Sequence, residues 1–258
     1  MLKTLHPSPT SGRILPMICR LYLNQELTVA SSITLESDQA HYLRSVMRLA
    51  AGDEIILFNG CGGEYLCSIE QLARNHLLCR IESFSDISRE LPNRIHIVQA
   101  ACRSEKIETV LQKATELGAA SFSIVRSERS SLKLDAAKLN KRLQRWQQII
   151  IEAAEQSGRT IVPKIHWINN LASVPALGLC FTLHPEATAT SWQQESQSIQ
   201  QADDISLAIG PEGGWSQRDI DTLNGADFRC LTFGPRIMRT ETAAPALLAA
   251  IQAGVATT

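Results

Sequence analysis

Two short stretches concentrate the polar groups that could do chemistry. Phe233-Gly234-Pro235-Arg236-Ile237-Met238-Arg239-Thr240-Glu241-Thr242-Ala243-Ala244 sets two arginines, a glutamate and two threonines after a Gly-Pro turn, between an apolar run and an Ala/Leu-rich helix. Upstream stands Leu207-Ala-Ile-Gly210-Pro211-Glu212-Gly213-Gly214-Trp215-Ser216. Gly213 and Gly214 leave the backbone open where a helix starts, and free N–H groups there favour an anion or a carboxylate. Arg236 and Arg239, three apart, suit a clamp on phosphate or on a developing oxyanion. Glu241 is close enough in sequence to pair with Arg239, and the lesser reading of the pair is an internal salt bridge that only holds the loop. A third loop, Leu183-His184-Pro185-Glu186, follows another apolar run and by itself is an ordinary turn. Open α/β sheets collect ligands at the carboxyl ends of their strands, so loops of this kind in succession predict one shared site.

The motifs that would name other chemistry are missing. No G-x-x-x-x-G-K-[ST] marks a P-loop, no G-x-G-x-x-G opens the α/β part, and no G-x-S-x-G marks an acyl hydrolase. Gly60-Cys-Gly62-Gly63 precedes an apolar run and reads as a hairpin turn. The six histidines show no metal-ligand spacing, and the seven cysteines form no C-x-x-C pair, so no metal site is expected. Scattered cysteines in odd number suit buried thiols in a reducing cytosol.

Residues 92–258 alternate strand and helix patterns, which argues an α/β domain with a largely parallel sheet. Strands are expected at Arg94–Ala100, Phe122–Val125, Leu179–Leu183, Ile205–Ile209 and Cys230–Phe233. Ser104–Leu117 is expected as a helix with Ile107, Val110, Leu111, Ala114 and Leu117 on its inner stripe, stopped by Gly118. Leu139–Gln156 repeats the pattern with Leu143, Trp146, Ile149, Ile150 and Ala153 inward. Ser216 and Asp219 form a capping-box start for a helix that ends near Gly225. In the last helix Pro245 lacks an N–H, which predicts an N-cap at Thr242 or later, or a bend.

Residues 17–91 read instead as short strands separated by turns, a small β-barrel pattern interrupted by one helix over Asp38–Leu49. On that helix His41, Arg44 and Arg48 would share a face, able to meet phosphates or simply solvated. Residues 1–16 have no apolar h-region and read as a disordered extension rather than a secretory signal, so a cytoplasmic protein is expected. No apolar run reaches the length of a membrane span. The net charge of −1 conceals an asymmetry. Residues 94–164 hold 13 Lys/Arg against 7 Asp/Glu, whereas residues 165–258 hold 4 against 9. A basic middle segment is either an anion-binding face or a solvated helix surface.

Taken with their order, these motifs resemble the RsmE family, uridine-N3 methyltransferases of small-subunit ribosomal RNA. The resemblance rests on Gly210-Pro-Glu-Gly-Gly-Trp, Gly234-Pro-Arg-Ile-Met-Arg-Thr-Glu-Thr-Ala, Leu111-Gln-Lys-Ala-Thr-Glu-Leu-Gly118, Ser127-Glu-Arg-Ser130 and Glu152-Ala-Ala-Glu-Gln-Ser-Gly-Arg159. His41-Tyr-Leu, Val46-Met-Arg-Leu and Gly52-Asp fit the family's N-terminal barrel, and the likeness runs from about Met17 to the C-terminus. Met238 stands where leucine is usual and Pro245 where alanine or leucine is tolerated; the first sixteen residues lie outside the pattern.

The resemblance implies a PUA-like β-barrel before a SPOUT-type α/β domain with a trefoil knot, a homodimer, and S-adenosylmethionine bent into the knot. It implies cofactor contacts from Leu183, His184, Gly210, Pro211, Glu212, Gly213, Gly214, Phe233, Gly234, Ile237, Met238 and Thr240. The substrate implied is uridine N3 of 16S ribosomal RNA, within the small subunit. That nitrogen holds its proton to roughly two pH units above neutrality, so ionising it costs about 3 kcal/mol. A cation near the uracil oxygens would lower this cost, with Arg239 the first candidate and Arg236 the second, while Glu241 is a possible base. Arg44, Arg48, Lys106, Lys113, Arg126, Arg129 and Arg159 are candidates for RNA phosphate contact. The competing readings are a SPOUT methyltransferase acting on tRNA and a non-catalytic RNA-binding assembly factor.

Overall fold

The computed structural model describes residues 18–73, 76–132, 136–184 and 189–255. The expected extension 1–16, Met17, and Pro185 and Glu186 of the third loop lie outside the described residues. The chain packs into two compact units. One comprises the segment ending at Leu21 with Leu27–Leu57 and Tyr65–Phe84. The other takes Tyr22–Glu26, Phe58–Glu64 and everything from Ser85 onward.

The first unit is a five-stranded sheet built from β1 (Cys19–Tyr22), β2 (Ser32–Leu35), β3 (Glu54–Phe58), β4 (Glu64–Leu72) and β5 (Leu77–Ser85), in the order β1-β3-β4-β5-β2. Alternating residues such as Ile55, Leu57, Cys67, Ile69, Cys79 and Ile81 are buried, the period expected of strands with one face on a core. The glycine cluster is the connection between antiparallel β3 and β4, as its spacing predicts. The helix is a correction. Only α1 (Ser37–His41) is α-helical; a π-helical turn follows over Tyr42–Val46, and Arg48 lies past it at φ 56°. A π turn winds more residues per turn, so His41, Arg44 and Arg48 do not form the single face that a 3.6-residue period gives.

The second unit is an all-parallel seven-stranded sheet. Its strands are β6 (Arg94–Ala100), β7 (Ala119–Val125), β8 (Lys164–Ile168), β9 (Leu179–Leu183), β10 (Thr190–Ser191), β11 (Asp204–Ile209) and β12 (Arg229–Thr232). They stand in the order β10-β12-β9-β11-β6-β7-β8. Helices α2 (Ser104–Glu116), α3 (Ala136–Ser157), α4 (Trp192–Gln201), α5 (Gln217–Asn224) and α6 (Thr240–Val255) cover it. Most of the predicted stripes are buried, Ile107, Val110, Leu111 and Ala114 on α2 with Trp146, Ile149, Ile150 and Ala153 on α3, whereas Leu117 and Leu143 are only half-buried. Of the buried ones, all but Ala153 join Ile95, Ile97, Phe122, Phe181 and Leu247 in one apolar core. Because the strands are parallel, the segments that leave β6, β7, β9, β11 and β12 all emerge at one edge of the sheet.

At the opposite edge β6 and β11 are stitched by charge. Arg94 donates from Nε and Nη2 to the two carboxylate oxygens of Asp204 at 2.8 and 2.5 Å, and His96 Nε2 lies 2.9 Å from Oδ1. Hydrogen bonds from Arg94 and then His96 hold the Asp204 carboxyl at about 2. A depressed carboxyl stabilises the fold above its unfolded value and loses that contribution as pH falls through the folded one. Asp204→Asn is therefore expected to destabilise the protein by roughly 1 kcal/mol at pH 7 after solvent screening. Denaturation curves should show that deficit shrinking between about pH 4 and pH 2.

Burial pushes the thiols of Cys67, Cys79 and Cys102 up to about 12, which makes them inert packing groups.

Candidate active site

Helix α5 starts where its capping box predicts. Asp219 N donates to Ser216 Oγ at 3.1 Å, and Ser216 N donates to Asp219 Oδ2 at 3.0 Å. The second carboxylate oxygen of Asp219 accepts from Glu128 N at 3.2 Å, which ties the Ser127–Ser130 turn after β7 to the Gly210 loop. Arg129 completes this tie by donating to the carbonyls of Gly213 at 3.0 Å and Trp215 at 3.2 Å.

The start of α6 overturns the first of the two alternatives drawn from Pro245, an N-cap at Thr242 or later. The helix begins at Thr240, so Pro245 is its sixth residue, inside the helix and past the donors left free by the first turn. Thr240 fixes that early start. Its hydroxyl donates to Gly210 O at 2.7 Å and accepts from Gln99 Nε2 at 2.9 Å. The buried Gln99 amide also reaches Ala100 O at 3.1 Å. A hydrogen-bonded chain thus joins the end of β6, the Gly210 loop and α6, and these local bonds outweigh the donor lost at proline.

Between the loops lies a cavity of about 680 Å³. Every residue anticipated for the cofactor lines it: Leu183 at the end of β9 and His184 after it, Gly210 to Gly214 after β11, and Phe233, Gly234, Ile237, Met238 and Thr240 after β12. Arg236 and Arg239 line it too, both exposed, and neither guanidinium has a salt-bridge partner among the described residues. Ile237 contributes only at the rim, since 89% of it is exposed. Ile209, Trp215, Leu231, Thr232 and Ala243 complete the wall and were not anticipated. Gln99 was missed as well, although one glutamine ending the apolar run Ile95-His-Ile-Val-Gln is the signal of a buried polar group with a task.

Glu241 pairs with Lys106, at 3.3 Å, rather than with Arg239. Burial raises its carboxyl, but its own backbone amide and the Lys106 ammonium outweigh burial and hold it below the usual carboxylate range. A carboxylate so held is a weaker base than an ordinary glutamate.

The seven expected RNA contacts divide. Arg126 is exposed at the cavity edge of the sheet; in the first unit Arg48 is exposed and Arg44 half-buried. Lys113 pairs with Glu116 at 2.9 Å along α2. Arg129 serves the Gly213 loop, and Lys106 lines the cavity. Arg159 is a correction: it is 3% exposed and donates to the carbonyls of Thr115 and Ala119 and to Glu90, so its guanidinium is spent inside the fold.

The cavity fits a nucleoside carrying a charged tail. Gly214 and Gly234 sit at φ 68° and 72°, and the place of a Cβ on either is empty for 4 Å around, so a ligand can approach the bare backbone. Leu183, Ile209, Leu231, Phe233 and Met238 offer apolar walls for a ring, and Arg236 and Arg239 put exposed cations in the same wall. The volume is in the range that buries a ligand of that size.

Comparison with known proteins agrees with this geometry. Residues 89–252 match the family model described as an RNA methyltransferase domain, and residues 35–82 match an RNA methyltransferase PUA domain. Ribosomal RNA small subunit methyltransferase E of Bacillus subtilis is 30% identical over 235 residues, covering 88% of this chain and 92% of that protein. The protein of the same name from Synechocystis is 32% identical over 245 residues, covering 92% and 78%. Among solved structures, ribosomal RNA small subunit methyltransferase E of Neisseria gonorrhoeae bound to S-adenosyl methionine superposes with a TM-score of 0.84 at 30% identity, covering 91% of this chain and 97% of that one. A Legionella pneumophila chain solved with the bound cofactor SAM gives 0.85 at 35% identity, covering 92% and 97%. With both of its family matches in chain order and relatives of this similarity along most of its length, the chain belongs to the ribosomal RNA small subunit methyltransferase E family.

Proposed function

We propose that this protein transfers a methyl group from S-adenosylmethionine to N3 of a uridine in 16S ribosomal RNA. The observation that carries the reading is the single cavity into which the loops after β9, β11 and β12 bring every family-implied cofactor residue. When bound, S-adenosylmethionine supplies an electrophilic methyl on a sulfonium, so the leaving group needs no protonation.

The chain's own residues do the rest. The backbone at Gly210–Gly214 and Gly234, with Leu183, Phe233 and Met238, holds the donor. Thr240 and Gln99 fix the two loops against each other. Arg239, and with less weight Arg236, faces the acceptor base and stabilises the anion left when the N3 proton departs. Glu241 stays ionised beside Lys106 and does not take that proton. N3 lies on the pairing face, so the uridine enters unpaired or flipped. Arg126, with Arg44 and Arg48 of the first unit, positions RNA through phosphate contacts.

The active species is a cytoplasmic homodimer acting on RNA within the small subunit. The domains are residues 17–91, PUA-like, and residues 92–258, the SPOUT domain, with 1–16 an extension. The SPOUT domain carries a trefoil knot in its C-terminal part, a reading supported by the non-sequential strand order in which β11 lies between β9 and β6 while β12 lies beyond β9. Among the described residues no helix is long and apolar enough to cross a membrane.

Mass mapping of 16S ribosomal RNA from a deletion strain tests the reading. The N3-methyluridine of the small subunit should disappear and return with the plasmid-borne gene. A modification that persists without the protein overturns the assignment. Calorimetry with S-adenosylmethionine should show one site per chain, and absence of binding would favour an RNA-binding assembly factor.

A further inference from the structure

Lys106 stands where three elements of the site converge. It lies in the first turn of α2, next to the fully buried Ile107. Its ammonium is 3.3 Å from Oε2 of Glu241, in the first turn of α6, and 4.0 Å from Oε1 of Glu212, in the Gly210 loop. The three side chains are shielded, at 20%, 22% and 27% exposure. Oε2 of Glu241 is buried without a hydrogen-bond partner among the described residues, so that oxygen depends on its ion pair with Lys106. Glu212 is anchored further, accepting from the backbone N–H of Arg103 at 3.2 Å and from Ser131 Oγ at 3.5 Å, with the exposed Arg103 Nε also 4.0 Å from Oε1; Lys106 is the cation of the two that reaches Glu241 as well.

Two carboxylates carried by different loops repel unless a cation stands between them. A lysine committed to both has its charge compensated and adds little attraction for phosphate. Helix α2 is seated in the core through Ile107, Val110, Leu111 and Ala114, and α6 through Ala243, Ala244, Leu247 and Leu248.

We propose that Lys106 is a positioning residue for methyl transfer: by pairing with Glu212 and Glu241 together, it fastens the Gly210 loop and the first turn of α6 to α2 and sets the shape of the cavity between them. The inference rests on the methyl-transfer reading above. Its effect is on orientation, where a displacement of about 1 Å can cost 100-fold in rate.

Two measurements on Lys106→Met test it. On the protein alone, amide hydrogen exchange should quicken in residues 210–216 and 239–243 while the strands β6 and β7 keep their protection. Glu241→Gln, which loosens the same pair from the other side, should quicken the same segments. In steady-state assays with small-subunit RNA, kcat should fall about 10- to 100-fold with KM for RNA within about twofold, and Lys106→Arg should restore most of the rate. The opposite pattern overturns the proposal: unchanged exchange and kcat, a raised KM for RNA, and a salt slope of RNA binding reduced by about one, which is the mark of a phosphate contact. Exchange needs no methyl acceptor, so it reports on the Lys106 tie even if the wild-type protein proves unable to methylate RNA.

Discussion

Arg239→Ala is expected to lower kcat for methyl transfer by about 100-fold at neutral pH, or ~2.7 kcal/mol, while S-adenosylmethionine still binds. The argument begins with what the residue already does. Its carbonyl accepts from Thr242 N at 2.9 Å and Ala243 N at 3.1 Å, so its backbone is the N-cap of α6 and is held in place. Its guanidinium is exposed at the cavity wall and has no ion pair among the described residues, which leaves it available to an incoming base. The neighbouring carboxylate is unsuited to the proton, because Glu241 is held below the usual carboxylate range. Stabilisation of the uracil anion therefore falls to the cation. A pH series separates this role from mere positioning. The deficit of the variant should shrink as the medium approaches the base's own ionisation, roughly two units above neutrality. Single-turnover rates near those of the wild type, or a deficit that stays constant with pH, would remove Arg239 from the reacting centre. Arg236→Ala should show a smaller loss of the same kind.

What the sequence made legible follows a physical rule. β6 and β9 match their expected bounds because each is a short, β-branched- and aromatic-rich run, RIHIVQA and LCFTL, whose few polar residues do not break the apolar pattern of a strand in the sheet core. The cavity loops were legible because glycine and proline mark the places where the backbone must turn or stand bare. Helix α4 was missed because only Ile199 of its ten residues is buried, so Trp192–Gln201 shows no apolar period. Its one signal was the Ser191/Gln194 capping box. Strand β2 was missed because only Leu35 of its four residues is buried, and the π turn because a fixed 3.6-residue period cannot express it. Charges were the least legible. A string of letters gives the sign of Arg159, Lys106 and Arg129 but not their partners, and the three are spent respectively on core carbonyls, two site carboxylates and a loop backbone.

Arg159→Ala is for that reason expected to act on stability before it acts on RNA. The guanidinium is 3% exposed. It donates from Nη1 to Thr115 O at 3.0 Å and to Ala119 O at 2.8 Å, and it meets Glu90 through Nε at 3.0 Å and through Nη2. Thr115 lies in the last turn of α2, where carbonyls lack intrahelical donors and the helix dipole favours a cation. Ala119 opens β7, so one planar group closes the α2–β7 connection and neutralises Glu90. Truncation leaves a mostly shielded carboxylate without its cation and takes a donor from two carbonyls, of which Thr115 O keeps only Gly118 N–H at 3.1 Å; losing one partner of such a pair costs about 3–5 kcal/mol. In a chain of this length that corresponds to a melting point lower by roughly 10 °C, readable by scanning calorimetry. Lysine should recover only part of the loss, because a single ammonium cannot satisfy three acceptors spread around a fork. A phosphate contact would give the reverse result: an unchanged melting point, a raised KM for RNA, and full rescue by lysine.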